Sequence, residues 1–211
     1  MIEPIVRSTL ALLFAFCVPA LHAAERTLVV SRDGTGAFAS IGAALDSVTN
    51  ASPENPVTVL IKAGTYEEML TTKDWVNLVG EDRERCIVTY SRKPGEEAAR
   101  THVIWATSTS TIKNLTLIGK DVKYCIHSDR GGPYTLTVEN CILRRIHTEG
   151  DCPSAFGIGL WAGQHIIARN CVLEAREPVY MHNSKGQESS CSMTLEKCTL
   201  KGQTTAMLIV D

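Results

Sequence analysis

The stretch Ile112-Lys113-Asn114-Leu115-Thr116-Leu117 recurs in variant form through the second half of this 211-residue chain. It returns as Val138-Glu139-Asn140-Cys141-Ile142-Leu143, as Ala168-Arg169-Asn170-Cys171-Val172-Leu173 and as Leu195-Glu196-Lys197-Cys198-Thr199-Leu200. The third position falls at 114, 140, 170 and 197. Self-similarity with a period of roughly 20–50 residues marks a stacked, repeated architecture. Each copy is too short for a helix and too rich in β-branched residues to favour one. Each copy therefore reads as a strand, and each period as one rung of a parallel β-solenoid.

The phrase accounts for its own composition. Leu115, Cys141, Cys171 and Cys198 share one column, and Leu117, Leu143, Leu173 and Leu200 share a second. Side chains two apart face the same side of a strand, so both columns can line the interior. Asn114, Asn140 and Asn170 precede them at a corner, where asparagine tolerates a left-handed backbone. Lys197 breaks that column, which predicts a last corner that is built differently or is less regular.

Composition narrows the function classes. The net charge is −2, with no basic stripe for nucleic acid and no long run of one charge. Arg7, an apolar run from Leu10 to Val18, then Pro19 and small residues to Ala24 follow the order of a secretory signal. The run is too short to span a bilayer. Residues 1–24 are thus expected to be a signal peptide and 25–211 one β-helix domain, secreted or periplasmic, without a membrane anchor. Of the eight cysteines, Cys17 leaves with the signal, and Cys141, Cys171 and Cys198 serve as small apolar residues of the inner column. Cys152 and Cys191 lie in polar inter-strand loops and are candidates to pair. No C-x-x-C spacing supports a metal site.

Ahead of the repeats, residues 27–30 and 57–61 read as strands. Ile41, Ala44, Leu45 and Val48 stand at helical spacing within 38–48, a short helix suited to cap the first rung. Strands at 75–79 and 86–90 lead to the first repeat. Val30-Ser31-Arg32-Asp33-Gly34-Thr35-Gly36-Ala37-Phe38, Ala63-Gly64-Thr65-Tyr66-Glu67-Glu68 and Val76-Asn77-Leu78-Val79-Gly80-Glu81-Asp82 together resemble the pectin methylesterases over about 28–117. The resemblance implies an all-β, single-stranded, right-handed parallel β-helix with a short N-terminal capping helix. It also implies ester hydrolysis on an acidic polysaccharide by paired aspartates, with no cofactor. By rung order, Ala155-Phe156-Gly157-Ile158-Gly159 falls at the family's nucleophile strand, so Ala155 takes the nucleophile's place. Its Gln-Asp-Thr and Arg-Pro-Trp are also absent. An alanine cannot attack an ester, so the family's own catalytic residues do not carry over.

Aligning the first strand of each late rung offers replacements. With Ile126, Ile158, Val179 and Leu208 facing inward, one outer column is Asp129, Trp161, His182 and Asp211. Its neighbour is His127, Gly159, Tyr180 and Ile209. Imidazoles beside carboxylates suit general acid–base work, which makes His127, Asp129, His182 and Asp211 the catalytic candidates. Trp161, Tyr180 and Tyr124 offer flat faces for sugar rings, and Asp151 and Glu149 reach the same face from the preceding loop. His102, His147 and His165 read as surface residues. The expected partner is a pectin-like or other uronic-acid polysaccharide.

Two other classes fit the same pattern. One is a non-catalytic glycan-binding or surface module, favoured by the missing nucleophile. The other is a calcium-assisted lyase, the only reading that needs a metal, with Asp129 joined by Asp151 or Asp211. The chain also ends within a strand, at Leu208-Ile209-Val210-Asp211. An uncapped rung exposes unpaired backbone groups, so the sequence predicts either a fragment of a longer protein or self-association through the C-terminal rung.

Overall fold

The computed structural model describes residues 26–129, 133–148, 154–161, 163–182 and 190–210. These residues wind into a parallel β-helix with three sheets. The longest sheet stacks Arg26–Val30, Val57–Ile61, Val76–Gly80, Ser110–Lys113, Tyr134–Glu139, Gln164–Arg169 and Ser192–Glu196. A second stacks Leu70–Thr71, His102–Trp105, Tyr124–Ser128, Phe156–Trp161, Glu177–His182 and Met207–Val210. The third begins at Gly64–Glu67 and ends at Thr199–Gly202. The signal-peptide reading of residues 1–24 lies outside the described residues. Among the described residues, no helix is long and apolar enough to cross a membrane.

Each repeated phrase proves to be a corner joining two strands, rather than one strand. Ser110–Lys113 ends before Asn114, and the next strand starts at Thr116. The backbone turns left-handed at Asn114, Asn140 and Asn170, with φ of 55°, 51° and 53°. Lys197 adopts the same turn, at φ 54°, so the last corner has a regular backbone and differs only in its side chain. The stacked fold imposes the bend even where the residue is unsuited to it. The asparagines also join side chain to side chain. Asn140 Nδ2 donates to Asn114 Oδ1, and Asn170 Nδ2 donates to Asn140 Oδ1, each at 2.9 Å.

The inner columns hold, with a gradient. Leu115, Cys141, Cys171, Leu117, Leu143 and Leu173 are buried, while Cys198 and Leu200 are only partly so. The thiols donate to backbone carbonyls, Cys141 Sγ to Glu139 O at 3.3 Å and Cys171 Sγ to Arg169 O at 3.2 Å. Cys152 lies outside the described residues, and Cys191 stands just before the strand Ser192–Glu196 with its side chain buried.

The helix Ile41–Ser47 closes the first turn with Ile41, Ala44 and Leu45 buried. Ser40 caps it by accepting from Ala43 N–H at 3.1 Å. Glu68, from the stretch 63–68, accepts from Ile41 N–H and Gly42 N–H at 2.9 and 2.8 Å. Carboxylate oxygens on otherwise unpaired first-turn donors fix the helix against the rung below. Tyr66, fully buried, donates to Lys62 O at 3.0 Å.

Candidate functional site

The second sheet carries an aromatic and imidazole surface. Its register aligns His102 with Tyr124 and Tyr124 with Phe156. It also aligns Trp105 with His127, His127 with Gly159, and Gly159 with Tyr180. Trp161 aligns with His182. The alignment of Trp161 with His182 therefore stands, and Asp129 follows Ser128, which pairs with Leu160. The last rung is shifted by one residue: Tyr180 pairs with Leu208 and His182 with Val210. Ile209 thus does not extend the column of His127, Gly159 and Tyr180. A one-residue slip exchanges the two faces of a strand, so Val210 lies on the outer side, beside His182. Asp211, Asp151 and Glu149 lie outside the described residues.

Tyr124 stacks on His127 with ring centroids 4.1 Å apart and on Phe156 at 5.3 Å. Trp161 stands edge-on to both Tyr124 and His127, at 5.9 and 5.3 Å. On its other side it meets Tyr180 and His182 at 5.4 and 5.9 Å. His182 therefore stands across the Trp161 ring from His127.

Asp129 organises the other flank. It accepts from Trp105 Nε1–H at 2.8 Å, and its second oxygen lies 3.4 Å from His127 Nε2. His102 tilts against both Trp105 and His127, at 5.8 and 6.1 Å. It is 6 % exposed and so is not a surface residue. Its Nδ1 is buried with no hydrogen-bond partner among the described residues. His165 is exposed, as expected, and bonds Ser192 Oγ at 2.6 Å. His147 is exposed too.

His102, Trp105, His127, Asp129 and Arg100 line an open cleft of about 430 Å³. Burial pushes both imidazoles down to about 4; for His127 the Asp129 charge opposes that shift and His102 adds to it. Both rings are therefore neutral at neutral pH, each able to accept a proton or a hydrogen bond. Sequence reasoning missed His102, Trp105, Arg100 and Phe156. The signal was available in the rung alignment, since His102 pairs with Tyr124 and Trp105 with His127.

Among the described residues, no group of three or more His, Cys, Asp or Glu is arranged to hold a metal ion. Ala155 is buried, and its carbonyl accepts from Glu177 N–H at 3.1 Å.

Comparisons with known proteins agree with the fold. The family model for pectinesterase matches residues 27–134, about half of the chain. "Probable pectinesterase 49" of Arabidopsis thaliana is 34% identical over 99 residues, covering 43% of this chain and 27% of that protein. The match thus spans about a quarter of that curated relative. A pectin methylesterase from Yersinia enterocolitica superposes with a TM-score of 0.55 at 16% identity, over 80% of this chain and 57% of that one. A pectin methylesterase in complex with a hexasaccharide gives 0.51 at 16% identity, over 83% of this chain and 67% of that one. At such identity these structures speak for the parallel β-helix fold alone.

Proposed function

This chain belongs to the pectinesterase family, and from that premise we propose that it hydrolyses carboxylic esters of an acidic polysaccharide at the His102–His127–Asp129 cleft. The observation that carries the reading is a neutral imidazole, His127, held between a stacked tyrosine and a carboxylate at the edge of an open cleft. Asp129 favours the tautomer with the proton on Nε2 and stabilises the imidazolium. His127 takes a proton from water as the water oxygen bonds to the ester carbonyl. The carbonyl re-forms as the alkoxy group leaves with that proton, giving an alcohol and a carboxylic acid. Trp105, Trp161 and Tyr180 supply flat faces for the sugar chain. The hexasaccharide bound by a solved relative supports a polysaccharide partner. The order of charge and hydropathy over residues 1–24 supports action outside the cytoplasm.

A second reading, a glycan-binding module without catalysis, is favoured by Ala155 at the nucleophile's place and by the weak basicity of imidazoles held near 4. A calcium-assisted lyase would need a cluster of carboxylates that the described residues do not supply. Incubation with methyl-esterified pectin separates the three. Methanol release that disappears in His127→Ala supports the esterase. Absorbance from new double bonds supports a lyase. Retained binding with neither product supports the module. Methanol release at the wild-type rate by His127→Ala removes His127 from the chemistry.

A further inference from the structure

A second cleft, of about 330 Å³, lies over the longest sheet, away from the His102–His127 cleft. Pro53, Pro56 and Trp75 wall it, and Asn77, Thr111 and Thr137 form part of its floor. The three floor residues occupy successive rungs, with Thr111 paired to Thr137 and Asn77 one rung earlier. Rungs repeat about every 4.8 Å.

Trp75 has φ 61°, a left-handed conformation that is uncommon for a bulky residue. The turn is fixed from both adjoining rungs. Trp75 N–H donates to Thr109 O at 2.8 Å, and Val57 N–H donates to Trp75 O at 2.9 Å. Asp74 Oδ1 accepts from Thr109 N–H at 2.9 Å. The indole is half-buried at this corner, beside the two prolines. Strain held in place by its surroundings is a reason to look for function.

The floor supplies polar groups that the described residues leave unused. Asn77 Oδ1 accepts from Thr111 N–H at 3.0 Å, which leaves the amide NH2 open. Among the described residues, the Trp75 indole N–H and the Thr111 and Thr137 hydroxyls make no hydrogen bond. All six residues named as wall and floor are uncharged. The column beyond them pairs Lys113 with Glu139 at 2.8 Å, so no unpaired cation is offered there.

An apolar wall beside hydroxyls and an amide suits a pyranose ring, which has apolar C–H faces and a polar edge. A carboxylate on that ring would lose water and gain no cation, which is costly. We propose that this cleft is a second, non-catalytic glycan-binding site, selective for an uncharged stretch of polysaccharide, whether neutral or esterified. It is separate from the histidine cleft and does not depend on the esterase reading.

Affinity electrophoresis of the full chain tests it, in gels holding highly methyl-esterified galacturonan or the same polymer de-esterified. A His127→Ala background keeps the polymer unaltered during the run. The esterified gel should retard the protein more strongly. Trp75→Asn, which tolerates the left-handed turn, should bind about tenfold more weakly, as loss of an aromatic contact would give. Thr137→Glu, at a half-buried floor position whose side chain faces the cleft, should weaken binding as well with little change in melting temperature. Absence of retardation, or retardation unchanged in both variants, overturns the site. Equal retardation by the two polymers overturns the preference for an uncharged chain.

Discussion

The ring of Tyr124 lies parallel to the imidazole of His127, with 3° between their planes. The two residues are three apart, because Cys125 and Ile126 between them both enter the core. The stack rests on Gly159, which faces His127 from the next rung. A Cβ at Gly159 would fall 2.3 Å from Tyr124 Cε1.

Gly159→Ala should therefore push Tyr124 off His127. Overpacking of this kind costs about 1–3 kcal/mol. Calorimetry should show that loss, together with a fall in glycan affinity or ester hydrolysis larger than the stability change explains. An alanine variant with wild-type stability and activity would mean that the stack has no role.

Stability should rise with pH across the acid range. His102 and His127 fall from an ordinary value of 6.5 to about 4 in the folded protein, because burial disfavours their charged forms. Between those values the unfolded chain binds more protons. The contribution is complete above about pH 6.5 and is lost as the pH drops toward 4. The melting temperature should decline over that window, and less steeply in His102→Gln. A flat profile there would place the imidazoles in a more polar setting than their burial indicates.

Lys197→Asn should stabilise the protein. Lys197 adopts the left-handed turn of Asn114, Asn140 and Asn170, but cannot join their amide ladder. Asparagine lowers the cost of that backbone and adds a donor facing Asn170 Oδ1, for a gain of about 1 kcal/mol. Urea titration of the two proteins reads the difference directly. A loss of stability would show that the lysine stem covers apolar surface worth more than the ladder.

The three inner-column thiols should resist labelling until the protein unfolds, with Cys198 reacting first because it is the least covered. Cys141→Ala should cost about 1–3 kcal/mol through the cavity it leaves. A disulfide between any two of them, detected by mass spectrometry, would contradict the hydrogen bonds their thiols donate.

Much of the solenoid was legible because its corner is written in side chains: a left-handed turn wants asparagine, and the column behind it wants small or branched apolar residues. The exception at Lys197 misled, since stacking on the rung below fixes the backbone more firmly than local preference does. The site was legible in part. Strict alternation correctly set His127, Trp161, Tyr180 and His182 outward. It could not find His102, because Val103 and Ile104 both turn into the core and break the period of two. A similar break hides Phe156, whose ring stacks on Tyr124 and Tyr180. The last rung slipped by one residue because the outward side of Met207–Val210 is as apolar as its inward side, leaving the pattern nothing to choose between.

The asparagine corner also has a sense of direction. Each amide donates to the residue one rung closer to the N-terminus, so the amide dipoles point the same way along the solenoid axis and reinforce one another. The corner is consequently a polar rail with distinguishable ends, and its growing end presents an acceptor, Asn170 Oδ1. A rung carrying a donor at its bend can dock there in one orientation and at one height. The rail therefore works as a template that sets the stagger of each added turn, independently of how the core behind it is filled.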